Sequence, residues 1–308
     1  MGRSEQHDRL PSAIGLRLLS VALFAVMNAA IKLAQLQGAS LPELLFFRQA
    51  GAAVLVTGVI AAGPGLRSVR TARFGAHVGR TIVGLTSMSF VFTALVLLPL
   101  PEATTLGFTT PIFATVLGAV FLGEPTGWRR WAAVTAGFAG VVIVAQPFGS
   151  GPEGEHFPLL GGLCGMVAAF LTAVVMILLR QIGRTEAAGT TVFWFSTLSC
   201  LPLGVVYAVA AKSHPAPVWA LLALIGLAGG AAQLAMTGSL RRGTVSLVVP
   251  MDYASLIWAT AYGWYLFGVW PTPATWVGAP VIIGAGLYIV WREHVRQRQA
   301  TRRAIADE

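Results

Sequence analysis

Apolar residues occur in ten long stretches that are separated by short polar segments. A helix needs roughly 20 residues to cross a bilayer core of about 30 Å, and each stretch has about that length. We number the stretches spans 1 to 10. They lie at 12–36, 41–62, 78–98, 102–122, 128–146, 158–180, 189–210, 218–239, 244–267 and 273–291. The pattern predicts an all-α polytopic membrane protein with ten transmembrane helices.

Basic residues alternate between the gaps that separate these spans. Nearly all of the 21 lysines and arginines fall in every second gap or in the two termini, and we count Arg17 and Arg80 in this set. The intervening gaps hold only Lys212. By the positive-inside rule, both termini are expected in the cytoplasm and the chain in the inner (cytoplasmic) membrane. Glu43 is expected at the opposite interface, solvated by water.

The chain also repeats itself. Thr105 is followed six residues later by Pro111 and then by Trp131, as Thr244 is followed by Pro250 and then by Trp276. An odd number of crossings per copy inverts the second copy, and inverted repeats place a binding site where the halves meet near the midplane. The predicted parts are a cytoplasmic tail 1–11, a first five-helix repeat 12–147, an outer loop 148–157, a second repeat 158–292 and a basic tail 293–308.

Composition agrees with this class of protein. Hydrophobic residues form 56% of the chain, charged residues form 11%, and the mean hydropathy is +0.73. The expected partner is therefore the lipid bilayer, with no nucleic acid, and the chain is a monomer or a homodimer. Cys164 and Cys200 lie inside spans, where packing is the expected role.

The sequence offers little for catalysis. It has no P-loop, and the glycine pairs Gly161/Gly165 and Gly226/Gly230 lie inside apolar spans, which predicts close helix contacts instead. Histidines lie in tails and gaps without zinc-ligand spacing, so no metal, cofactor or enzymatic activity is expected. A secondary carrier of small solutes is the function that this arrangement favours.

Ionisable residues inside the spans are the first candidates for a binding site, because charge is costly in a membrane. Asp252 is a possible proton carrier or an anchor for a substrate ammonium group; the alternative is a buried partner of an arginine. Arg48 could hold a carboxylate or bond helix carbonyls or a neighbouring acid. Lys32 shares a helix face with Asn28, which predicts a polar lining, although snorkelling also explains the lysine.

Other residues are expected along the path because of their backbone effects or their depth. Pro111 and Pro250 each free a carbonyl four residues earlier, at Gly107 and Ser246, so spans 4 and 9 are predicted to be kinked and to line the path. Packing against neighbouring helices is the alternative. Further candidates are polar or aromatic residues at plausible depths, each with an ordinary packing or self-bonding alternative. They are Thr86, Ser89, Thr93, Tyr253 and Trp258.

Short motifs give the chain a family resemblance over residues 12–292. They are Asn28-Ala29-Ala30-Ile31-Lys32, Phe47-Arg48, Thr110-Pro111-Ile112-Phe113, Leu122-Gly123-Glu124-Pro125 and Pro250. With these the chain resembles the EamA-type carriers of the drug/metabolite transporter superfamily, which have two five-helix halves. It departs from many relatives at Phe267-Gly268-Val269-Trp270-Pro271, where no acid follows the glycine.

The resemblance implies transport of small metabolites, and the overall pattern is similar to amino-acid exporters, including the aromatic amino-acid branch. We therefore expect export of neutral or aromatic amino acids by alternating access of the two halves, with Arg48 or Lys32 on the carboxylate and Asp252 or Trp258 on the ammonium group. The alternatives are a nucleoside, sugar or drug carrier, a lipid or lipid-linked-sugar flippase, and a membrane-embedded enzyme.

Overall fold

The computed structural model describes residues 3–121, 128–145, 158–183, 185–242 and 249–306, and every regular element in these ranges is helical. Eleven α-helices are named in chain order. They are α1 (Arg3–Leu36), α2 (Leu41–Ala62), α3 (Phe74–Leu97), α4 (Leu100–Gly107), α5 (Thr110–Phe121), α6 (Trp128–Ala145), α7 (Leu159–Ile182), α8 (Ala188–Ala210), α9 (Ala216–Arg242), α10 (Ala254–Phe267) and α11 (Pro273–Ala306). The outer loop and the Leu122–Pro125 motif lie outside the described residues.

Seven of the described helices are long and apolar enough to cross a membrane, namely α1, α2, α3, α7, α8, α9 and α11. Span 5 is the shorter helix α6. The predicted tails are helical where they are described, because α1 begins at Arg3 and α11 continues to Ala306.

Spans 4 and 9 are not the single helices that the hydropathy pattern predicts. Span 4 consists of α4 and α5, which are separated at Phe108 and Thr109. Span 9 consists of a short 3-10 helix, Val249–Tyr253, followed by α10. The break in span 4 has a physical cause, since Pro111 lacks the N–H that would continue the helix and its ring displaces the carbonyl four residues back. Pro250 lies in the 3-10 helix, but Ser246 is outside the described residues.

Helix packing repeats between the two halves. Helix α1 (span 1) packs on α9 (span 8), and α3 (span 3) packs on α7 (span 6). Spans 1 and 6 are equivalent in the two repeats, and so are spans 3 and 8, so the two contacts are the same contact made once from each half. Equivalent spans also pack on each other, as α2 does on α8, α6 on α11 and α4 on α10. Because each half has five spans, its copy enters the membrane from the opposite side. The expected pair of inverted five-helix repeats is therefore confirmed.

Glycines allow the closest of these helix contacts. A Cβ atom on Gly226 would lie 2.5 Å from the Phe47 carbonyl oxygen and 2.8 Å from the Gly51 Cα, so α2 and α9 meet backbone to backbone. A Cβ atom on Gly161 would lie 2.8 Å from the Leu98 side chain, and one on Gly165 equally close to Leu106. The expectation that these glycines mark close helix contacts is confirmed, and the contacts join the two halves.

Substitution of Gly226 tests this packing. Gly226→Ala is expected to destabilise the protein by about 1–3 kcal/mol, because the added methyl group forces two helix backbones apart. The matched control is Gly284→Ala, since Gly284 is exposed on α11 and an added Cβ atom meets nothing within 4 Å. Thermal unfolding of the purified proteins in detergent measures the effect. A transition for Gly226→Ala at or above that of Gly284→Ala would contradict the close contact.

Candidate functional site

A cavity of about 300 Å³ lies where the two halves meet. Helices α1, α3, α4, α5 and α7 contribute to its walls, as do α9, α10 and the 3-10 helix of span 9. Both broken spans reach it: Gly107, Phe108 and Thr110 come from the break in span 4, and Asp252 and Ser255 come from span 9. We call this space the central cavity.

Nearby side chains form hydrogen bonds with the backbone carbonyls at the break in span 4. The Thr110 hydroxyl donates to the Gly107 carbonyl at 2.8 Å, which is the carbonyl that Pro111 leaves without an N–H partner. The Thr109 hydroxyl donates to the Leu106 carbonyl at 2.7 Å. Irregular backbone is tolerated at membrane depth only where its polar groups find partners inside the protein or face a cavity. Here both conditions are met, because Gly107 and Thr110 also line the central cavity.

An ion pair in the wall of the cavity joins the two halves. Arg17 on α1 donates through Nε to Asp252 Oδ1 at 2.5 Å and through Nη2 to Oδ2, so the guanidinium holds the carboxylate with two parallel bonds. The Arg17 side chain is 8% exposed, whereas that of Asp252 is 32% exposed. Asp252 therefore has an arginine partner, as one of its two predicted roles required, and it also faces the cavity.

Two arginines that the charge pattern counts as flanking residues are buried. Arg17 was grouped with the cytoplasmic charges, yet it is buried within span 1 and lines the central cavity. Arg80 was grouped with them too, but it is 4% exposed and its guanidinium lies 3.7 Å from the centre of the Phe195 ring. Both residues lie close to the ends of their spans, where position along the sequence does not distinguish a flanking charge from a buried one.

The remaining lining is mostly apolar, with two rings and two free polar groups. Phe24 on α1 and Phe108 at the break in span 4 provide the aromatic surface. Among the described lining residues, Asn28 and Thr104 carry the uncharged polar side chains that have no hydrogen-bond partner. The other lining hydroxyls bond backbone carbonyls: Ser20 bonds Ala232, Thr110 bonds Gly107, Thr172 bonds Ala168 and Ser255 bonds Asp252.

Two of the predicted cationic residues lie away from this cavity. Arg48 is 6% exposed and donates to the amide oxygens of Gln49 and Gln233, the latter at 2.8 Å. Lys32 donates through Nζ to the carbonyls of Leu95, Val96 and Leu98 at 3.2, 3.0 and 2.7 Å, which caps the end of α3. Neither residue meets Asn28 and Asp252 in the central cavity, and each is engaged by protein groups.

The remaining predicted side chains are not in the central cavity lining either. Thr86, Ser89 and Thr93 each donate to the carbonyl four residues earlier in α3, and Thr86 is exposed. Trp258 is 40% exposed and stacks on Tyr262 with ring centres 5.9 Å apart. Tyr253 packs its ring edge against Phe108 at 4.8 Å, so it supports a lining residue.

Sequence reasoning missed Arg17, Phe24, Thr104 and Phe108. A signal existed for the first two, because Arg17, Val21, Phe24 and Asn28 follow one another at steps of four, three and four and therefore share one helix face. All four line the central cavity. Thr104 and Phe108 carry no such signal, since their positions depend on the break between α4 and α5.

Comparison with known proteins identifies the architecture. The model of the EamA-like transporter family matches residues 11–146 and 159–292, one match per repeat. A riboflavin transporter of Vibrio cholerae is 27% identical over 300 residues, which cover 96% of this chain and 98% of the relative. A riboflavin transporter of Rhizobium johnstonii is 30% identical over 238 residues, or 76% of each chain.

Another relative is named for a different solute. An S-adenosylmethionine uptake transporter of Rickettsia bellii is 26% identical over 237 residues, covering 74% of this chain and 77% of the relative. A solved crystal structure shares the fold, with a TM-score of 0.60 at 20% identity over 93% of this chain and 98% of its own. The two repeats, the helix packing and the family match agree: the chain belongs to the EamA-like transporter family and is a multi-pass membrane transporter of small molecules.

Proposed function

We propose that the protein carries an uncharged, partly aromatic solute, with riboflavin as the first candidate, and that it binds this solute in the central cavity. The observation that carries the proposal is the charge of the lining. Arg17 and Asp252 are the ionisable residues among the described lining, and each neutralises the other. A solute with a net charge would enter this space without a counter-charge, at a high cost in a low-dielectric environment.

The uncharged lining groups complement a molecule that has both an apolar ring and polar groups. Riboflavin has a planar ring system and a polyol chain and carries no net charge. Phe24 and Phe108 offer surfaces for a planar ring, and Asn28 and Thr104 offer free hydrogen-bonding groups for a polar chain. A volume of about 300 Å³ is at the lower end of the range for small-molecule pockets. The riboflavin transporters of Vibrio cholerae and Rhizobium johnstonii support the same choice.

Export of a neutral or aromatic amino acid is the second candidate. One observation favours it, namely that a cation and an anion lie side by side in the cavity, as a zwitterion requires. The same observation limits it, because Arg17 and Asp252 already satisfy each other and a zwitterion would have to separate them. An S-adenosylmethionine-like cation fits less well, since the carboxylate that would receive it is paired.

The proposed mechanism is alternating access of the two halves around the central cavity. Span 1 belongs to the first half and span 9 to the second, so the Arg17–Asp252 pair spans the boundary that rocking would shear. Asp252 is the proposed proton carrier, because it is the one acid among the described lining residues. Protonation would remove the charge that holds Arg17, which would link proton binding to separation of the pair.

Uptake into proteoliposomes tests the cargo. Labelled riboflavin, tryptophan, phenylalanine and S-adenosylmethionine are offered in parallel, with protein-free liposomes as the control. We expect saturable uptake of riboflavin, competed by excess unlabelled riboflavin, and no protein-dependent uptake of S-adenosylmethionine, because the cavity lacks an unpaired carboxylate. Uptake of the aromatic amino acids without riboflavin would replace the first candidate with the second.

Transport under a pH gradient tests the proton carrier. The gradient is expected to raise the uptake rate of the native protein severalfold and to have no effect on Asp252→Asn, which cannot exchange a proton. The matched control is Glu186→Gln, since the Glu186 carboxylate bonds Thr71 and does not line the cavity. If Asp252→Asn transports at the native rate and keeps the native gradient response, Asp252 does not carry the proton.

A further inference from the structure

A second pocket, of about 370 Å³, lies at the end of the bundle where α3 and α10 end and α4 begins. Its lining includes Leu97, Pro158, Phe267 and Val269, so its surface is largely apolar and contains one aromatic ring. Lys32 is the charged residue among the described lining, and its ammonium group is already held by three carbonyls. By the arginine distribution, this end of the bundle is expected to face outward.

One residue borders both the second pocket and the central cavity. Leu100 is the residue that both described linings share, and it is 3% exposed. It is the first residue of α4 and stands between Pro99 and Pro101, which restrict the backbone on both sides. Leu100 is therefore part of the wall of both spaces.

Polar contacts on both sides hold this leucine in place. Lys32, on α1, bonds the Leu98 carbonyl at 2.7 Å, two residues before Leu100. Glu102, two residues after it, accepts bonds at 3.1 Å from the Thr272 N–H and from the Thr275 hydroxyl, at the start of α11. The segment that carries Leu100 is thus fastened to α1 in the first half and to α11 in the second.

We propose that Leu100 is the gate between the central cavity and the second pocket, and that the second pocket is the next binding site of the transported solute. When the halves move, α1 shifts relative to α11. The hydrogen bonds of Lys32 and Glu102 connect these two helices to the segment that carries Leu100, so the shift moves Leu100. The apolar pocket with Phe267 receives the aromatic part of the solute. The binding site rests on the proposed function, whereas the gate requires no particular cargo.

Cysteine labelling tests the gate without any cargo. In a chain with Cys164→Ala and Cys200→Ser, one reporter, Ala25→Cys, is placed in the central cavity, and a second, Val269→Cys, in the second pocket. A membrane-impermeant thiol reagent is added to intact cells and, separately, to inverted vesicles. The side from which the reagent reaches Val269→Cys is the side used for the test. From that side, we expect Ala25→Cys to be labelled about tenfold faster in the chain with Leu100→Ala than in the chain with Leu100, because the substitution removes side-chain atoms between the two spaces.

The matched control for the gate is Leu97→Ala, since Leu97 lines the second pocket but not the central cavity. It is expected to leave the labelling of Ala25→Cys unchanged. Leu100→Val removes one methylene and gives a smaller increase, so it provides the test if Leu100→Ala does not accumulate as folded protein. Unchanged labelling in the folded Leu100 variants, or an equal increase with Leu97→Ala, would overturn the gate.

Protection by riboflavin separates the second site from the choice of cargo. We expect riboflavin to slow labelling of both Ala25→Cys and Val269→Cys. Protection of Ala25→Cys alone would overturn the second binding site and keep the proposed cargo. Protection of neither reporter, with the Leu100 effect intact, would overturn both the proposed cargo and the second site while the gate stands.

Discussion

Every backbone N–H and carbonyl inside a bilayer must find its partner within the protein, and this constraint organises the whole structure. It makes the spans helical and confines irregular backbone to places that the bundle protects. The break between α4 and α5 obeys it, because threonine hydroxyls bond the carbonyls of Leu106 and Gly107, the second of which Pro111 leaves without an N–H partner, and because Gly107 and Thr110 face the central cavity. The interruption is thus tolerated where the two halves enclose it around the central cavity.

Buried charges follow the same rule, and their partners determine what each can do. Lys32 holds the carbonyl end of α3, and Arg48 holds two glutamine side chains, so both are engaged in joining helices. The Arg17–Asp252 pair differs, since Asp252 remains partly exposed to the cavity. Asp252 therefore connects the two halves through Arg17 and is still accessible from the central cavity.

More of the fold than of the candidate site could be predicted from the sequence. Hydropathy, the repeat and the glycine pairs depend on local patterns, and they predicted the inverted halves, the close contacts and the spans other than 4 and 9, which are interrupted. The neighbours of a charge depend on how the halves assemble, so the charge pattern did not reveal that Arg17 and Arg80 are buried. Glu43 shows the same limit: it was expected in water, yet it is fully buried and accepts bonds from Ser40, the Lys212 N–H and His214.

Binding of riboflavin to the purified protein, followed by quenching of the flavin fluorescence, tests most directly that the central cavity is the solute site. Asn28→Ala removes a free polar group from the cavity, and Thr86→Ala removes a hydroxyl that lies outside it. Asn28→Ala is expected to weaken binding by about fivefold, the equivalent of one hydrogen bond, and Thr86→Ala is expected to bind like the native protein. Native affinity in Asn28→Ala, or equal weakening in both variants, would contradict the central cavity as the solute site.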